Sequence, residues 1–327
     1  MKVRALSGSD VEALLPMDEC IEVVGNALAA LSREESVNPL RSLVRFPSGD
    51  GLLGLMPAVT KSPPVSGIKI LTVMPGNEGT PYDSHQGAVL LFELEHGRLV
   101  AIVDASSITA IRTAAASGVA TRLLAREDAN RLAILGSGVQ AGSHLDAMRV
   151  VRPVTTTVVY SRSEDNARTF AAYHSDRSGI PIDVAHSARE AVDQADLICT
   201  TTSARDPVVC GEWLSPGTHI NAVGACFPTA RELDTRAVVD SQLFVDRRES
   251  VLNEAGDFLI PKAEGAIEDD HIVGEIGELV AGRIEGRTNP DQVTLFKSLG
   301  VAVEDLAAAH HAYQKAVDTD IGCEIDL

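Results

Sequence analysis

Apolar residues in the first third of the chain follow two successive patterns. After Pro16, Ile21, Val24, Leu28 and Leu31 recur at helical spacing. Asp18 and Glu19 lie at the start of that stretch and Arg33 near its end, which predicts a helix opened by the proline. Upstream, Ser9-Asp10-Val11-Glu12 has the form of a capping box and predicts an earlier helix start. Beyond Pro39 the helical period is lost. Segments 40–46, 52–59, 66–74, 87–94 and 98–103 are short, rich in Leu, Val and Ile, and separated by Gly or Pro, so they predict strands. Glu95-His96-Gly97-Arg98 predicts a hairpin turn between the last two. Strands in succession predict an antiparallel or mixed sheet.

An Ala-rich helical stretch, 106–125, separates this region from a different one. From Arg131, predicted strands at 132–135, 156–160, 196–201, 218–223, 242–246 and 292–297 are interspersed with helices at 139–150, 164–175 and 187–194. That alternation is the pattern of a parallel α/β sheet. A last helix is predicted over 301–317, with Leu306, Ala309, Tyr313 and Val317 along one side. The texture changes between residues 118 and 130.

The 327 residues fit two domains. With 28 Lys and Arg against 46 Asp and Glu, the net charge is −18, and no basic patch offsets it. That balance disfavours nucleic acid and anionic membrane surfaces as partners. No apolar run approaches the ~20 residues that cross a bilayer. Met1 to Leu15 lacks an apolar core and carries Asp10 and Glu12, so no secretory leader is expected. Five cysteines, Cys20, Cys199, Cys210, Cys226 and Cys323, have no paired spacing; they read as reduced thiols in a cytoplasmic protein. Without CxxC, HExxH or a His/Cys cluster, no metal is expected.

The sharpest chemical signal is Leu132-Ala133-Ile134-Leu135-Gly136-Ser137-Gly138-Val139-Gln140-Ala141, an apolar strand, GxGxxA and a helix. Gly136 permits the tight turn, Gly138 lets backbone approach a pyrophosphate, and Ala141 allows close packing of helix on strand. The helix N-terminus supplies free N–H groups for phosphate. The next strand, 157–160, ends in Ser161-Arg162-Ser163, where an acidic residue would hold the ribose of NAD. An Arg between two hydroxyls suits a 2′-phosphate and favours NADP(H) over NAD(H), the alternative being a solvated loop Arg. The fold class is therefore α/β, a Rossmann dinucleotide-binding domain plus a mixed α+β domain.

Cationic residues in apolar settings are the candidates for holding a substrate. Lys69 lies in Val65-Ser66-Gly67-Ile68-Lys69-Ile70-Leu71-Thr72-Val73, apolar on both faces. A Lys in such a covered strand needs an anionic partner; an edge-strand gatekeeper fits the pattern equally. Arg112 lies in the Ala-rich helix, where pattern alone favours an Arg snorkelling to the surface. Arg41 and Arg45 share a face of the first predicted strand. Arg41, Lys69 and Arg112 together would clamp a carboxylate. His85, in a loop before a strand, is a candidate proton donor or an ordinary exposed His. Cys226 follows the strand end at 218–223, facing a crevice or simply buried.

Several stretches together go further than the glycine motif. They are Leu53-Gly54-Leu55-Met56-Pro57-Ala58, Ser84-His85-Gln86 with Val89 to Glu93, and Ile108-Thr109-Ala110 with Arg112 to Ala115. Further on are Gly211-Glu212-Trp213, His219 to Ala225, Arg231-Glu232-Leu233-Asp234 and Phe296-Lys297-Ser298-Leu299-Gly300. Through them and the glycine motif the chain resembles the ornithine cyclodeaminase/mu-crystallin family over nearly its whole length, and within it the mu-crystallin-like ketimine reductases. The resemblance implies a homodimer. It also implies a substrate-binding and dimerisation domain from 1–118 and 301–327 around a Rossmann domain, 119–300. It places the carboxylate-binding residues at Arg41, Lys69 and Arg112, with Ser84, His85, Glu254 and Cys226 around the site. Cofactor positions fall on Gly136, Ser137, Gly138, Val139, Gln140, Ser161, Arg162, Ser163, Asn166, Thr202, Ser203, Val223 and Ser298.

Two departures from the cyclodeaminases bear on chemistry. Those enzymes and their alanine dehydrogenase relatives carry an Asp where this chain has Cys226, and the cyclodeaminases carry a Glu where it has Gly54. Loss of both carboxylates counts against ornithine cyclisation and fits reduction of a small cyclic imine carboxylate, with Lys69 or His85 as candidate acid. The other expectations are an amino-acid dehydrogenase or cyclodeaminase on the same scaffold, and a small-ligand-binding protein of the mu-crystallin kind.

Overall fold

The computed structural model describes residues 2–77 and 80–327. The chain divides into two compact units, Met1–Thr113 with Gly300–Leu327, and Ala114–Leu299.

The first unit is built on strands β1 (Lys2–Leu6), β2 (Ser36–Val37), β3 (Ser42–Arg45), β4 (Leu52–Thr60), β5 (Val65–Val73), β6 (His85–Glu93) and β7 (Leu99–Asp104), completed by a C-terminal strand, Cys323–Asp326. From one edge the order is the C-terminal strand, β1, β7, β6, β5, β4 and β2, with β3 also paired to β4. The β1–β7 pairing is parallel and the others antiparallel. Strict alternation sets the faces. Met56 and Ala58 of β4, Lys69 of β5, Val89 and Leu91 of β6, and Ala101 and Val103 of β7 are buried. The C-terminal helix, Ala302–Thr319, packs against β4 to β7 and against α2 (Met17–Ser32). Gly67 permits its close approach: a Cβ there would lie 3.4 Å from Leu306 Cγ and 2.3 Å from the Leu90 carbonyl oxygen. The opposite face carries Leu53, Leu55, Pro57, Ile68, Ile70, Leu90, Phe92 and Ile102, all only partly covered by the chain itself.

Local chemistry moves several predicted boundaries. Helix α1 (Gly8–Leu14) is capped by Ser7 rather than Ser9: Asp10 N donates to Ser7 Oγ at 3.3 Å and Ser7 N to Asp10 Oδ2 at 2.9 Å. Pro16 is the N-cap of α2, one position ahead of the helix. The first predicted strand shortens to β3, so Arg41 stands just outside it. The strongest corrections are additions: β1, the C-terminal strand and the helices between residues 235 and 280 carry little period-2 or long helical signal.

Helix α3 (Ala105–Leu124) carries the boundary between the units. The second unit contains β8 (Arg131–Leu135), β9 (Thr156–Tyr160), β10 (Ile182–Val184), β11 (Leu197–Thr200), β12 (His219–Ala222), β13 (Ser241–Val245), β14 (Ile272–Glu275) and β15 (Val293–Lys297). All pairings are parallel, in the order β10-β9-β8-β11-β12-β15-β13-β14. The first five repeat the 3-2-1-4-5 order of a doubly wound dinucleotide fold, with a switch point beside β8. Helices α4 (Val139–Val151) and α5 (Glu164–Ser178) follow β8 and β9. Four consecutive buried residues in each of β11 and β12 match strands covered on both faces. Among the described residues no helix is long and apolar enough to cross a membrane.

Candidate active site

In the first unit, two cations that the sequence leaves ambiguous are buried and paired. Lys69 is 1% exposed and Arg112 4%. Lys69 Nζ donates to Asp305 Oδ1 at 2.8 Å and to Thr109 Oγ1 at 3.2 Å. Arg112 Nε donates to the same Asp305 oxygen at 2.7 Å, and its Nη1 to Glu304 Oε2 at 2.7 Å. The snorkelling expected for Arg112 is thus overturned, because two carboxylates on the first turn of the C-terminal helix offset its dehydration. Lys69 has Asp305 as the anion its covered strand demands. Arg41 Nη2 donates to the Gly300 carbonyl at 3.3 Å. Gly300 has φ +76°, and a Cβ there would sit 2.3 Å from Arg112 Nη1. The glycine therefore brings Arg41 and Arg112 to one point of the backbone.

Lys69 and Arg112 share Asp305, and their remaining donors are what a ligand could use. A Lys has three N–H donors and an Arg five. Lys69 spends two on protein, and Arg112 spends two in its bonds to the carboxylates. Both therefore keep donors for an anion. Burial, with Arg112 and Arg41 nearby, pulls the Lys69 ammonium down to about 8 against the opposing pull of Asp305. Burial also opposes the Arg112 charge, but Asp305 and Glu304 carry it above its ordinary value.

Ser84 and His85 lie further along the sheet from this cluster, with the Lys69 charge still acting on the His85 ring. His85 is the first residue of β6, not a loop residue, because it pairs with Val73 of β5. Lys69 pairs with Val89, four residues further along, or about 13 Å of strand. Ser84 Oγ and His85 Nδ1 are 3.0 Å apart, and Ser106 Oγ donates to the His85 carbonyl at 2.8 Å. Partial dehydration and then the Lys69 charge hold the imidazole below its ordinary range. Arg45, on the exposed edge strand, stays in solvent.

In the second unit, Gly136 has φ +116°, and a Cβ there would meet the Thr201 carbonyl at 2.7 Å. At Gly138 a Cβ would meet nothing within 4 Å, so open space lies over the turn. Gly138 caps α4 without a side-chain hydrogen bond, and Val139 is 72% exposed. Gln140 lies in the first turn of α4. Ser137 Oγ donates to Ser161 Oγ at 3.0 Å, joining the glycine turn to the end of β9. Ser163 Oγ caps α5 through Asn166 N. Between these serines Arg162 is exposed, with no ion pair among the described residues. Ser298, beyond β15, is 1% exposed and its Oγ lacks a partner among the described residues. The open glycine turn, uncapped helix and orphaned hydroxyl fit a dinucleotide.

Beneath the crevice lies a group the sequence reading missed. Glu232 is fully buried and accepts four hydrogen bonds. Oε1 takes Thr202 N and Thr202 Oγ1, both at 2.7 Å; Oε2 takes Thr200 Oγ1 at 2.7 Å and Gly224 N at 2.6 Å. The backbone N–H groups of Glu232 and Leu233 donate to Asp257 Oδ1, and Asp257 Oδ2 lies 3.0 Å from Lys297 Nζ. Burial raises the Glu232 carboxyl, against Lys297. Burial opposes the Lys297 charge, but Asp257, Cys226 and Glu232 hold it above its ordinary value. Val223 is buried after β12, with its N–H donating to the Thr200 carbonyl at 3.0 Å. Cys226 is half-buried, its thiol 3.5 Å from the Val223 carbonyl. Ser203 is exposed after β11, and Glu254 ends the helix Arg248–Glu254, half-buried.

The sequence profile of the ornithine cyclodeaminase/mu-crystallin family matches residues 2–320. The chain belongs to that family. It is 36% identical over 323 residues to a Δ1-pyrroline-2-carboxylate reductase of Bacillus thuringiensis subsp. konkukian, covering 98% of this chain and 99% of the relative. It is 40% identical over 277 residues to the ketimine reductase mu-crystallin of Mus musculus, covering 85% and 84%. Among solved structures, Thermococcus litoralis Δ1-pyrroline-2-carboxylate reductase in complex with NADH and L-proline superposes with a TM-score of 0.96 at 40% identity, over 99% of this chain and 100% of that one. Within the family frame, Glu304 and Asp305 are the signal that was available and not used: adjacent carboxylates at the start of an Ala-rich helix.

Proposed function

We propose that this member of the family reduces small cyclic imines bearing one carboxylate to proline- or pipecolate-type amino acids, using a reduced nicotinamide dinucleotide. The observation that carries the reading is the buried pair Lys69 and Arg112, joined through Asp305 and each keeping N–H donors that the protein does not use, with half-buried Arg41 beside them on the Gly300 carbonyl. A reduced nicotinamide supplies the hydride equivalent for the C=N carbon. Arg112 and Lys69 bind the carboxylate through their remaining donors, so much of the rate comes from holding the imine in one orientation. A protonated imine is the better hydride acceptor, and the Lys69 ammonium, with its value near neutrality, is the group suited to hold that proton. The glycine turn, the α4 N-terminus, Ser137, Ser161 and Ser163 hold the pyrophosphate and ribose. Cys226 and Gly54 offer no carboxylate to anchor an amine, which favours reduction over oxidative deamination or cyclisation of ornithine.

The experiment is loss of reduced-cofactor absorbance with Δ1-pyrroline-2-carboxylate or its six-membered homologue. Rapid loss, with ornithine plus NAD silent, supports the reading. Turnover of ornithine or another amino acid without imine reduction overturns it.

NADPH is the preferred cofactor in this proposal, because exposed Arg162 faces solvent at the end of β9 with no protein anion to neutralise it. Arg162→Ala is then expected to lower kcat/KM for NADPH about tenfold and leave that for NADH within about twofold. Steady-state kinetics with both cofactors checks it; equal losses refute the preference.

The protein is a homodimer in the same proposal, since Leu53, Leu55, Ile68, Ile70, Leu90 and Phe92 form one partly open apolar sheet face. Light scattering should give twice the chain mass, and a monomer at micromolar concentration would exclude it. Five free thiols fit a reducing, cytoplasmic setting.

A further inference from the structure

Lys69 and Arg112 come from a strand and a helix, yet both donate to one atom, Asp305 Oδ1, at 2.8 and 2.7 Å. Their nitrogens are therefore no more than about 5.5 Å apart. Two buried cations at that separation repel; the Thr109 hydroxyl of α3 ties Lys69 to the helix at 3.2 Å but carries no charge, so the shared carboxylate is what offsets the repulsion. We propose that Asp305 is the positioning residue of the substrate-carboxylate site, its Oδ1 fixing both the placement and the charge of Lys69 against Arg112. The inference rests on the cluster being that site.

The groups facing Lys69 come from every element around it. Asp305 lies on the C-terminal helix, Arg112 and Thr109 on α3, Arg41 ahead of β3 and, further along the sheet, His85 on β6; Glu304 on the C-terminal helix and the buried Cys20 thiol on α2 act on Arg112 instead. Burial, Arg112 and Arg41 disfavour the ammonium, whereas Asp305 favours it both as a charge and as an acceptor. Glu304 is engaged by Arg112. Asp305 Oδ2 is buried with no donor among the described residues, so the carboxylate has no second protein clamp. Neutralising Asp305 removes the support of the Lys69 charge and the atom that sets its position in one change. A neutral Lys69 amine no longer attracts a carboxylate.

The test is ¹³C-lysine NMR of the full-length protein together with kinetics on Δ1-pyrroline-2-carboxylate. The chain has six lysines, and Lys69→Arg assigns the resonance. Wild-type Lys69 should titrate near 8. In Asp305→Asn it should titrate at least about one unit lower, a tenfold change in proton affinity. The imine KM should rise about tenfold or more with the cofactor KM unchanged, and the alkaline limb of kcat/KM should move to lower pH by the same interval. Asp305→Glu keeps the charge and shifts the oxygen, so Lys69 should titrate near the wild-type value while the imine KM still rises. A Lys69 titration unmoved in Asp305→Asn overturns the proposal, as does a wild-type imine KM in Asp305→Glu. The second variant decides alone if the first does not fold. Because NMR reads Lys69 without turnover, a wild type inactive on imines refutes the proposed function separately from the role of Asp305.

Discussion

Arg112→Ala is expected to cost about a thousandfold in kcat/KM for the imine and about 3–5 kcal/mol of stability, by two separate routes. The first is recognition. Arg112 contributes the planar donor set of the cluster, and its removal takes away both those donors and one positive charge beside Lys69. Charge-assisted bonds to a buried carboxylate are worth about 1.5–3 kcal/mol each, so losing two accounts for the kinetic effect. The second route is folding. Glu304 and Asp305 are both fully buried, and Arg112 is bonded to Glu304 Oε2 and is one of two cations bonded to Asp305 Oδ1. Deleting it strands charge in a dehydrated interior, which costs far more than an exposed pair would. Arg112→Lys separates the routes, because it keeps the charge and loses the fork. It should recover most of the stability and little of the activity. Urea unfolding monitored beside steady-state kinetics reads both; an Arg112→Ala enzyme with near-wild-type kcat/KM excludes the arginine from the substrate site.

What was legible in the sequence was what is local. The strand, GxGxxA and helix around Gly136 are contiguous, and each glycine has a conformational reason visible in spacing alone. The strands β4 to β7 were legible because apolar residues dominate them and turn residues bound them. In β1, Lys2-Val3-Arg4-Ala5-Leu6, and in the C-terminal strand, Cys323-Glu324-Ile325-Asp326, a few polar residues at a sheet edge give no such contrast, and pairing with each other supplies what local propensity does not. The charged interior was legible only by half. A lysine in a covered strand announces that an anion exists, not that it lies 236 positions away at Asp305. Lys297 in the apolar stretch Val293-Thr294-Leu295-Phe296-Lys297 carries the same announcement as Lys69, and its partner, Asp257, comes from a short helix with little sequence signal. Buried ion pairs are set by tertiary packing, so sequence names the members and only the fold names the pairs.

Glu232→Gln is expected to weaken nicotinamide-cofactor binding about 30- to 100-fold, with the imine KM at saturating cofactor changed less than about threefold. The side chains are nearly the same shape, so the effect isolates hydrogen-bond polarity. The carboxylate accepts from Thr202 N and Oγ1 on one oxygen and from Thr200 Oγ1 and Gly224 N on the other. A glutamine keeps one accepting oxygen and turns an NH₂ group toward the other pair of donors. Each pair includes a backbone N–H, which cannot rotate away as a hydroxyl can. Whichever way the amide is placed, the segment after β11 or the segment after β12 loses its anchor and meets a donor instead. No slack absorbs the change: a Cβ on Gly224 would already lie 2.1 Å from the Thr202 carbonyl oxygen. Those segments stand at the carboxyl ends of parallel strands, where doubly wound sheets bind their nucleotides. An unmet buried donor costs about 1–3 kcal/mol, and the upper part of that range is the 30- to 100-fold loss. Lys297 and Asp257 remain paired to each other in the variant, so the sheet beneath should hold and the unfolding midpoint should fall only modestly. Fluorescence titration of NADPH onto the purified variant measures the binding change directly. A dissociation constant within twofold of wild type, in a folded protein, would show that Glu232 ties the two segments together without setting the cofactor site.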